Sequence, residues 1–317
     1  MEDFPKLSCP KPQAKGGVAL SGGRDSLLAL DDLVRRDGPN SWVALHVDHG
    51  SRNLESREAE CREVEKQCHY LGVELRRKVL ASGIGDSEEA LRDARYVALA
   101  TMGDDLDFVV LGHHVHDQVE TILMKILRGS DLGGLAGMPS AFERNGVLFS
   151  RPMLEWSEDE LERMRERLTL DAFEDPSNEE SRYLRNRFRH ELTPLLNDLS
   201  PGWVGRLSGL ADSARLWKGG LEAKLDQLSK EHIWERVDEN HYKMAREWLE
   251  ALDPYILRAW SRRQLEWVAE GAKGISRRHV DSFAEFASSD KLGSHSYNFP
   301  GKWRLRGQKR WLHLLRS

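Results

Sequence analysis

The first 150 residues repeat one unit: a short apolar run, then a longer stretch with helical periodicity. Val18–Leu20, Trp42–Val47, Val73–Leu80 and Phe108–Leu111 read as strands, and Val147–Phe149 as a fifth. Ser26–Arg36, Asn53–Leu71, Ser87–Met102 and His116–Leu127 read as the intervening helices, with Asp86 and Glu89 spaced as a capping box for the third. Strands joined through helices lie parallel, and a parallel sheet needs helices on both faces. The pattern therefore predicts an α/β fold with a doubly wound, mainly parallel sheet. In such sheets ligands bind beyond the carboxyl ends of the strands. The residues that core packing least explains fall there: Ser21–Ser26, His46–Arg52 and Gly112–Glu120.

The pattern changes after Phe149. Ser157–Leu168 reads as a helix with a capping box from Ser157 to Glu160. From Pro201 to Ser288 the chain reads as helices only, broken at Gly219-Gly220 and Asp253-Pro254. The tail alternates on either side of Arg306–Lys309 and reads as a β-hairpin. Two domains are expected: 1–205, built on that sheet and holding its crevice, and 206–317 as a smaller, mainly helical one ending in that hairpin. With 39% apolar and 31% charged residues over 317 positions, the composition supports packed cores rather than disorder. No apolar run is long enough for a membrane span, and Met1–Lys15 does not read as a signal peptide, so a cytoplasmic protein is expected. Three cysteines without a Cys-x-x-Cys pair give neither a disulfide framework nor a zinc site. A net charge of −5 argues against a generic polyanion binder, so any nucleic-acid contact must rest on local basic clusters.

The stretch Ser21-Gly22-Gly23-Arg24-Asp25-Ser26 joins the first strand to the first helix. Two glycines permit backbone conformations closed to other residues, and the opening turn of a helix has unpaired amides. With the Ser21 and Ser26 hydroxyls, the loop suits a phosphate. It lacks the Gly-x-x-x-x-Gly-Lys-Ser/Thr pattern, so no lysine grips a terminal phosphate. Asp25 suggests instead a Mg²⁺ held against pyrophosphate oxygens.

SGGRDS resembles the SGGxDS signature of the PP-loop ATP pyrophosphatases, with Arg24 at the variable position. Further stretches narrow the resemblance: HVDHGSR (46–52), EEALRDARY (88–96), LGHHVHDQVET (111–121), RGSDLGGLAGM (128–138), RPML (151–154) and DPSNEESRYLRNRFRHELTPLL (175–196). Together they resemble the tRNA(Ile)-lysidine synthases over nearly the whole chain. Val115 and His116 stand where that family reads Ala-Asp, which makes His116 an expected pH-sensitive group.

The resemblance implies ATP-dependent joining of free lysine to the wobble cytidine of tRNA(Ile) with a CAU anticodon. It implies an adenylated cytidine intermediate and release of AMP and pyrophosphate. ATP with Mg²⁺ is the expected co-substrate, bound by Ser21, Gly22, Gly23, Arg24, Asp25, Ser26, His46, Asp48 and Gly112. Asp25, Arg95, Asp117 and Glu120 are the expected catalytic residues. Asp117 and Glu120, three apart on one helix, are also expected to hold the lysine amine, with Arg92, Arg128, Arg185, Asn186 and Arg189 on the substrate side. Basic and aromatic residues mix in the tail around Trp303 and Trp311, a composition suited to tRNA. Whether two chains pair is open. So are two other readings: another adenylating PP-loop enzyme such as a tRNA thiolase, and an inactive tRNA-binding relative.

Overall fold

Val18 and Ala19 are neighbours in sequence, yet they bury on opposite faces of one sheet. The same alternation separates Ala44 from Val43 and Leu45, and Val110 from Val109 and Leu111. These strands have no solvent face, which is why they read as continuous apolar runs. The computed structural model describes residues 7, 9–48, 50, 54–81, 88–173, 184–268, 275–288, 296–299, 302–308 and 310–316. The chain divides into two compact units, residues 1–215 and 216–317.

The first unit runs β1 (Gly16–Ala19), α1 (Arg24–Asp37), β2 (Trp42–Asp48), α2 (Leu54–Leu71), β3 (Glu74–Val79), α3 (Glu88–Met102), β4 (Val109–Leu111), α4 (Val115–Leu127) and α5 (Leu132–Leu135). It continues with β5 (Ala141–Arg144), β6 (Val147–Ser150), α6 (Glu158–Arg167), α7 (Leu184–Arg187), a π-helical stretch Phe188–Leu192, α8 (Thr193–Leu199) and the start of α9 (Trp203–Glu231). The sheet order is β3-β2-β1-β4-β6-β5, parallel except for the last pair. Helices α1, α2, α4 and α6 cover one face through residues such as Leu27, Val64, Val119 and Leu161. Helix α3 covers the other through Tyr96 and Leu99. Each large apolar side chain so buried contributes about 1.5–3 kcal/mol.

The expected doubly wound sheet is therefore present, with one addition. β5 was not anticipated from the sequence. It pairs antiparallel with β6 across Asn145-Gly146, both at positive φ, in the two-residue turn that Asn-Gly favours. The Ser157–Glu160 capping box forms as expected. The expected Asp86 cap lies outside the described residues.

The second unit holds the rest of α9, β7 (Glu235–Asp238), β8 (His241–Ala245), α10 (Pro254–Val268), α11 (Arg277–Ser288), β9 (Ser296–Phe299), β10 (Trp303–Gly307) and β11 (Trp311–Arg316). The expected tail hairpin is β10–β11. It belongs to a five-stranded antiparallel sheet, β7-β8-β11-β10-β9, packed on α10 and α11 around Trp260, Phe283 and Leu305. The helices-only reading of 201–288 is corrected here, because β7 and β8 interrupt it. All of β7 is exposed, so its sequence carries no burial alternation to betray a strand. Trp303 is buried in this core, which favours a packing role for it over base stacking. Among the described residues no helix is long and apolar enough to cross a membrane.

Candidate active site

Strand order reverses at β1, which pairs with β2 on one side and β4 on the other. The loops that leave β1 and β4 thus open into one crevice, the position where open α/β sheets bind ligands. The β1 loop is held in shape by its own hydroxyls. The Ser26 hydroxyl accepts from the Ser21 amide (3.1 Å) and donates to the Gly23 carbonyl (2.9 Å). Gly22, at φ +79°, turns the chain, and its carbonyl accepts the Phe173 amide at 2.9 Å. Gly23 caps α1 without a side chain. The amides of Arg24, Asp25 and Ser26 therefore have no intrahelical acceptor, and they carry the positive end of the helix dipole. Gly112, just past β4, packs on this turn so closely that a Cβ there would lie 2.8 Å from Ser26 Cα. Gly112 belongs to the site by letting the β4 end reach the loop.

The expected loop residues are thus together, but Arg24 and Asp25 are engaged. The Arg24 guanidinium donates to the Arg165 carbonyl of α6 (3.2 Å). Arg165 in turn donates to Asp25 Oδ1 from Nε (3.1 Å) and Nη2 (2.6 Å). Asp25 Oδ2 faces His114 Nε2 at 3.2 Å. Burial resists ionisation of Asp25, but His114 and then Arg165 outweigh it and hold the carboxyl well below the usual range. With Arg165 and His114 on its two oxygens, Asp25 as it stands does not fit a directly bound Mg²⁺. No cluster of three His, Cys, Asp or Glu residues suited to a metal occurs among the described residues.

His114 has a second task. It is the N-cap of α4: its Nδ1 accepts the His116 amide (3.2 Å), while Asp117 Oδ2 accepts the His114 amide (3.1 Å). Burial lowers the His114 pKa, yet Asp117 and Asp25 more than compensate and raise it. Protonating Nδ1 would forfeit the cap, so cap and carboxylates pull against each other. His116 departs from expectation. Burial, followed by the charges of His114 and Arg165, pushes its pKa down to about 4. That direction is away from a proton switch near neutral pH.

Asp117 and Glu120 share a face of α4, as their spacing required, and both meet the segment that ends in the π-helical stretch. Arg189 donates to Asp117 Oδ1 (2.9 Å) and to Glu120 Oε1 (2.5 Å), and Arg185 pairs with Glu120 at 3.3 Å. Arg185 and Arg189 are four apart on this continuous helical run, so they share the face that meets Glu120. The two carboxyls diverge. Burial resists charge on Asp117, but His114, His113 and Arg189 hold its pKa low. Burial pushes Glu120 up, against the pull of Arg189. Glu120, Arg189, Asp25, His114 and Arg165 line one cavity of about 310 Å³.

Arg95 is half-buried and makes no hydrogen bond or ion pair among the described residues. Burial depresses its pKa, against the pull of Tyr96 and Glu60, and its charge acts on both His46 and His113. Other expected residues sit differently. His46 is buried and braces the loop indirectly, through Nδ1 on the Leu20 carbonyl (2.9 Å). Asp48 is clamped by Arg57 of α2 at 2.8 Å. Arg92 is exposed, its guanidinium 5.9 Å from the Tyr96 ring centre. Arg128 caps the far end of α4, about 12 Å along the helix from Glu120. Asn186 is half-buried beside Arg185. The DPSN stretch, 175–178, lies outside the described residues. Arg165, Arg57 and the capping role of His114 were not anticipated. Arg165 acts through a contact 140 positions away, Arg57 reaches back nine positions across the β2–α2 connection, and histidine is not among the preferred caps. Asp117 three residues after His114 was the available signal for the third.

The PP-loop domain family matches residues 2–196. The tRNA(Ile)-lysidine synthase of Solibacter usitatus (strain Ellin6076) is 32% identical over 305 residues, covering 95% of this chain and 67% of the relative. That of Legionella pneumophila (strain Paris) is 35% identical over 208 residues, 65% of this chain and 48% of the relative. The chain thus spans about half the length of the Legionella relatives it matches. Among solved structures, the U34-tRNA thiolase NcsA from Methanococcus maripaludis superposes with a TM-score of 0.51 at 21% identity, over 64% of this chain and 73% of that one. That likeness concerns the fold.

Proposed function

The chain belongs to the PP-loop family, in its tRNA(Ile)-lysidine synthase branch, and from that premise we propose that it ligates lysine to the wobble cytidine of tRNA(Ile) with a CAU anticodon. The cytosine C2 oxygen is a poor leaving group. Its attack on the α-phosphate of ATP expels pyrophosphate and leaves an AMP ester, a good one. The lysine ε-amine then attacks C2, and AMP departs. One hard substitution becomes two easier ones.

The β1 loop holds the pyrophosphate through the α1 amides and the Ser21 hydroxyl, while the Ser26 hydroxyl, committed to the Gly23 carbonyl, keeps the turn in shape. Arg95, which makes no hydrogen bond or ion pair among the described residues, serves the α-phosphate. The attacking amine must shed a proton, and a buried carboxylate with a raised pKa is the better acceptor. Glu120 takes that role, and Asp117 positions the lysine ammonium group. Arg185, Asn186 and Arg189 face the RNA, with Arg92 and Arg128 at the periphery. ATP brings Mg²⁺ on its phosphates, and no step here passes through a metal held by Asp25. One observation carries the reading: Asp25 of the phosphate loop and Glu120 of the carboxylate pair line the same cavity.

The test is incubation of the protein with ATP, radiolabelled lysine and an unmodified CAU-anticodon transcript. Lysine should enter the RNA, and a transcript with U at the wobble position should take none. ATP consumed over many turnovers with no lysine entering the RNA would refute the reading in favour of another PP-loop reaction.

A further inference from the structure

We infer that Arg165 is a ligand of the β- and γ-phosphates of bound nucleotide, delivered to the loop by α6 and kept aligned by Arg24. The inference rests on the ATP-binding role proposed above. A pyrophosphate on the α1 amides lies beside the Asp25 carboxylate, and like charges repel. The loop has no lysine to relieve this. Its one basic residue, Arg24, is turned onto the Arg165 carbonyl at 3.2 Å. The cation in place is Arg165, which donates to Asp25 Oδ1 through Nε and Nη2.

Arg165 has donors to spare. A guanidinium carries five N–H groups, and its fork matches phosphate oxygens as well as carboxylates. Its Nη2 also lies 3.4 Å from His114 Nε2, but among the described residues its Nη1 has only Glu162, at 3.8 Å, and the side chain lines the cavity that reaches Glu120. The same turn of α6 is fastened to α1 three times: Arg24 to the Arg165 carbonyl, Arg165 to Asp25, and Arg167 to Asp32 at 3.9 Å. That fastening fixes the guanidinium before nucleotide arrives, so little side-chain freedom is lost on binding. It also explains what Arg24 does at the variable position of the signature: it is a positioning residue for Arg165.

The test is calorimetric titration of wild type, Arg165→Ala, Arg165→Lys and Arg24→Ala with ATP, pyrophosphate and AMP, with thermal melting of each. Arg165→Ala should weaken ATP and pyrophosphate by about 10- to 100-fold, the usual loss of a hydrogen bond to a charged group, while AMP binds as in wild type. Arg165→Lys, which keeps the charge but not the fork, should fall between. Arg24→Ala should weaken the same two ligands, and adding it to Arg165→Ala should cost little more. ATP binding by Arg165→Ala equal to wild type, or an equal loss for ATP and AMP, would overturn the inference and leave a structural clasp. Wild-type protein that bound no ATP would instead overturn the ATP-binding role itself, and the inference with it.

Discussion

Gly112→Ala tests how the crevice is built. The added Cβ would stand 2.8 Å from Ser26 Cα, 2.9 Å from Ser26 N and 3.0 Å from the Asp25 carbonyl oxygen, where ordinary contact begins at 3.4 Å. All three neighbours are backbone, so none can rotate aside. The β4 end and the loop must part by about 0.6 Å, the difference between 3.4 and 2.8 Å. Overpacking of this kind costs about 1–3 kcal/mol. At about 2–4 °C per kcal/mol for a unit of this size, the melting temperature should fall by roughly 2–12 °C. Function should suffer more than stability, because displacements near 1 Å in a reacting geometry cost about 100-fold. The assay pairs thermal melting with ATP-dependent lysine transfer. Gly205→Ala is the control: that Cβ meets open space on α9, and the change should be neutral or slightly stabilising. If Gly112→Ala melts and turns over like wild type, the loop is not seated on the end of β4.

Three further outcomes follow from the same geometry. Asp25 has a depressed folded pKa, so its contribution to stability is complete above the unfolded value of about 3.9 and fades as pH falls below it; Asp25→Asn should flatten melting temperature against pH in that acidic window. Arg189→Ala strips Glu120 and Asp117 of a guanidinium and should abolish lysine transfer. Glu120, whose folded pKa is already raised, should then make stability decline as pH rises above about 4.3, and adding Glu120→Gln should restore the melting temperature but not the activity. His116, with a pKa near 4, should not shape the profile: His116→Gln should leave the activity–pH curve unchanged between pH 6 and 8.

Much of the fold was legible because burial leaves a plain trace. Strands β1, β2 and β4 are covered on both sides and had to be apolar throughout, and the helices between them announced parallel crossovers. The Asn145-Gly146 turn of β5–β6 carries an equally plain hairpin signal. Strand β7 was not visible, since an exposed edge strand has no apolar face to display. At the site, the phosphate loop and the Asp117–Glu120 pair depend on local spacing, which a sequence records. Arg165 on Asp25 depends on which helices meet, and Arg57 on Asp48 depends on how α2 turns back over the end of β2. Arg165 is 140 positions from Asp25, and no local pattern encodes that meeting. The role of Gly112 was half legible: its place after β4 marked the crevice, but the need for a missing Cβ came from the approach of the loop.

The most direct measurement supplies ATP labelled at the α-phosphate, together with the CAU-anticodon transcript, and withholds lysine. The label should appear on the RNA and be discharged as AMP when lysine is added, whereas ATP labelled at the γ-phosphate should leave the RNA unmarked. An RNA that never acquires the α-phosphate, or that acquires the γ-phosphate, would contradict adenylation at this loop.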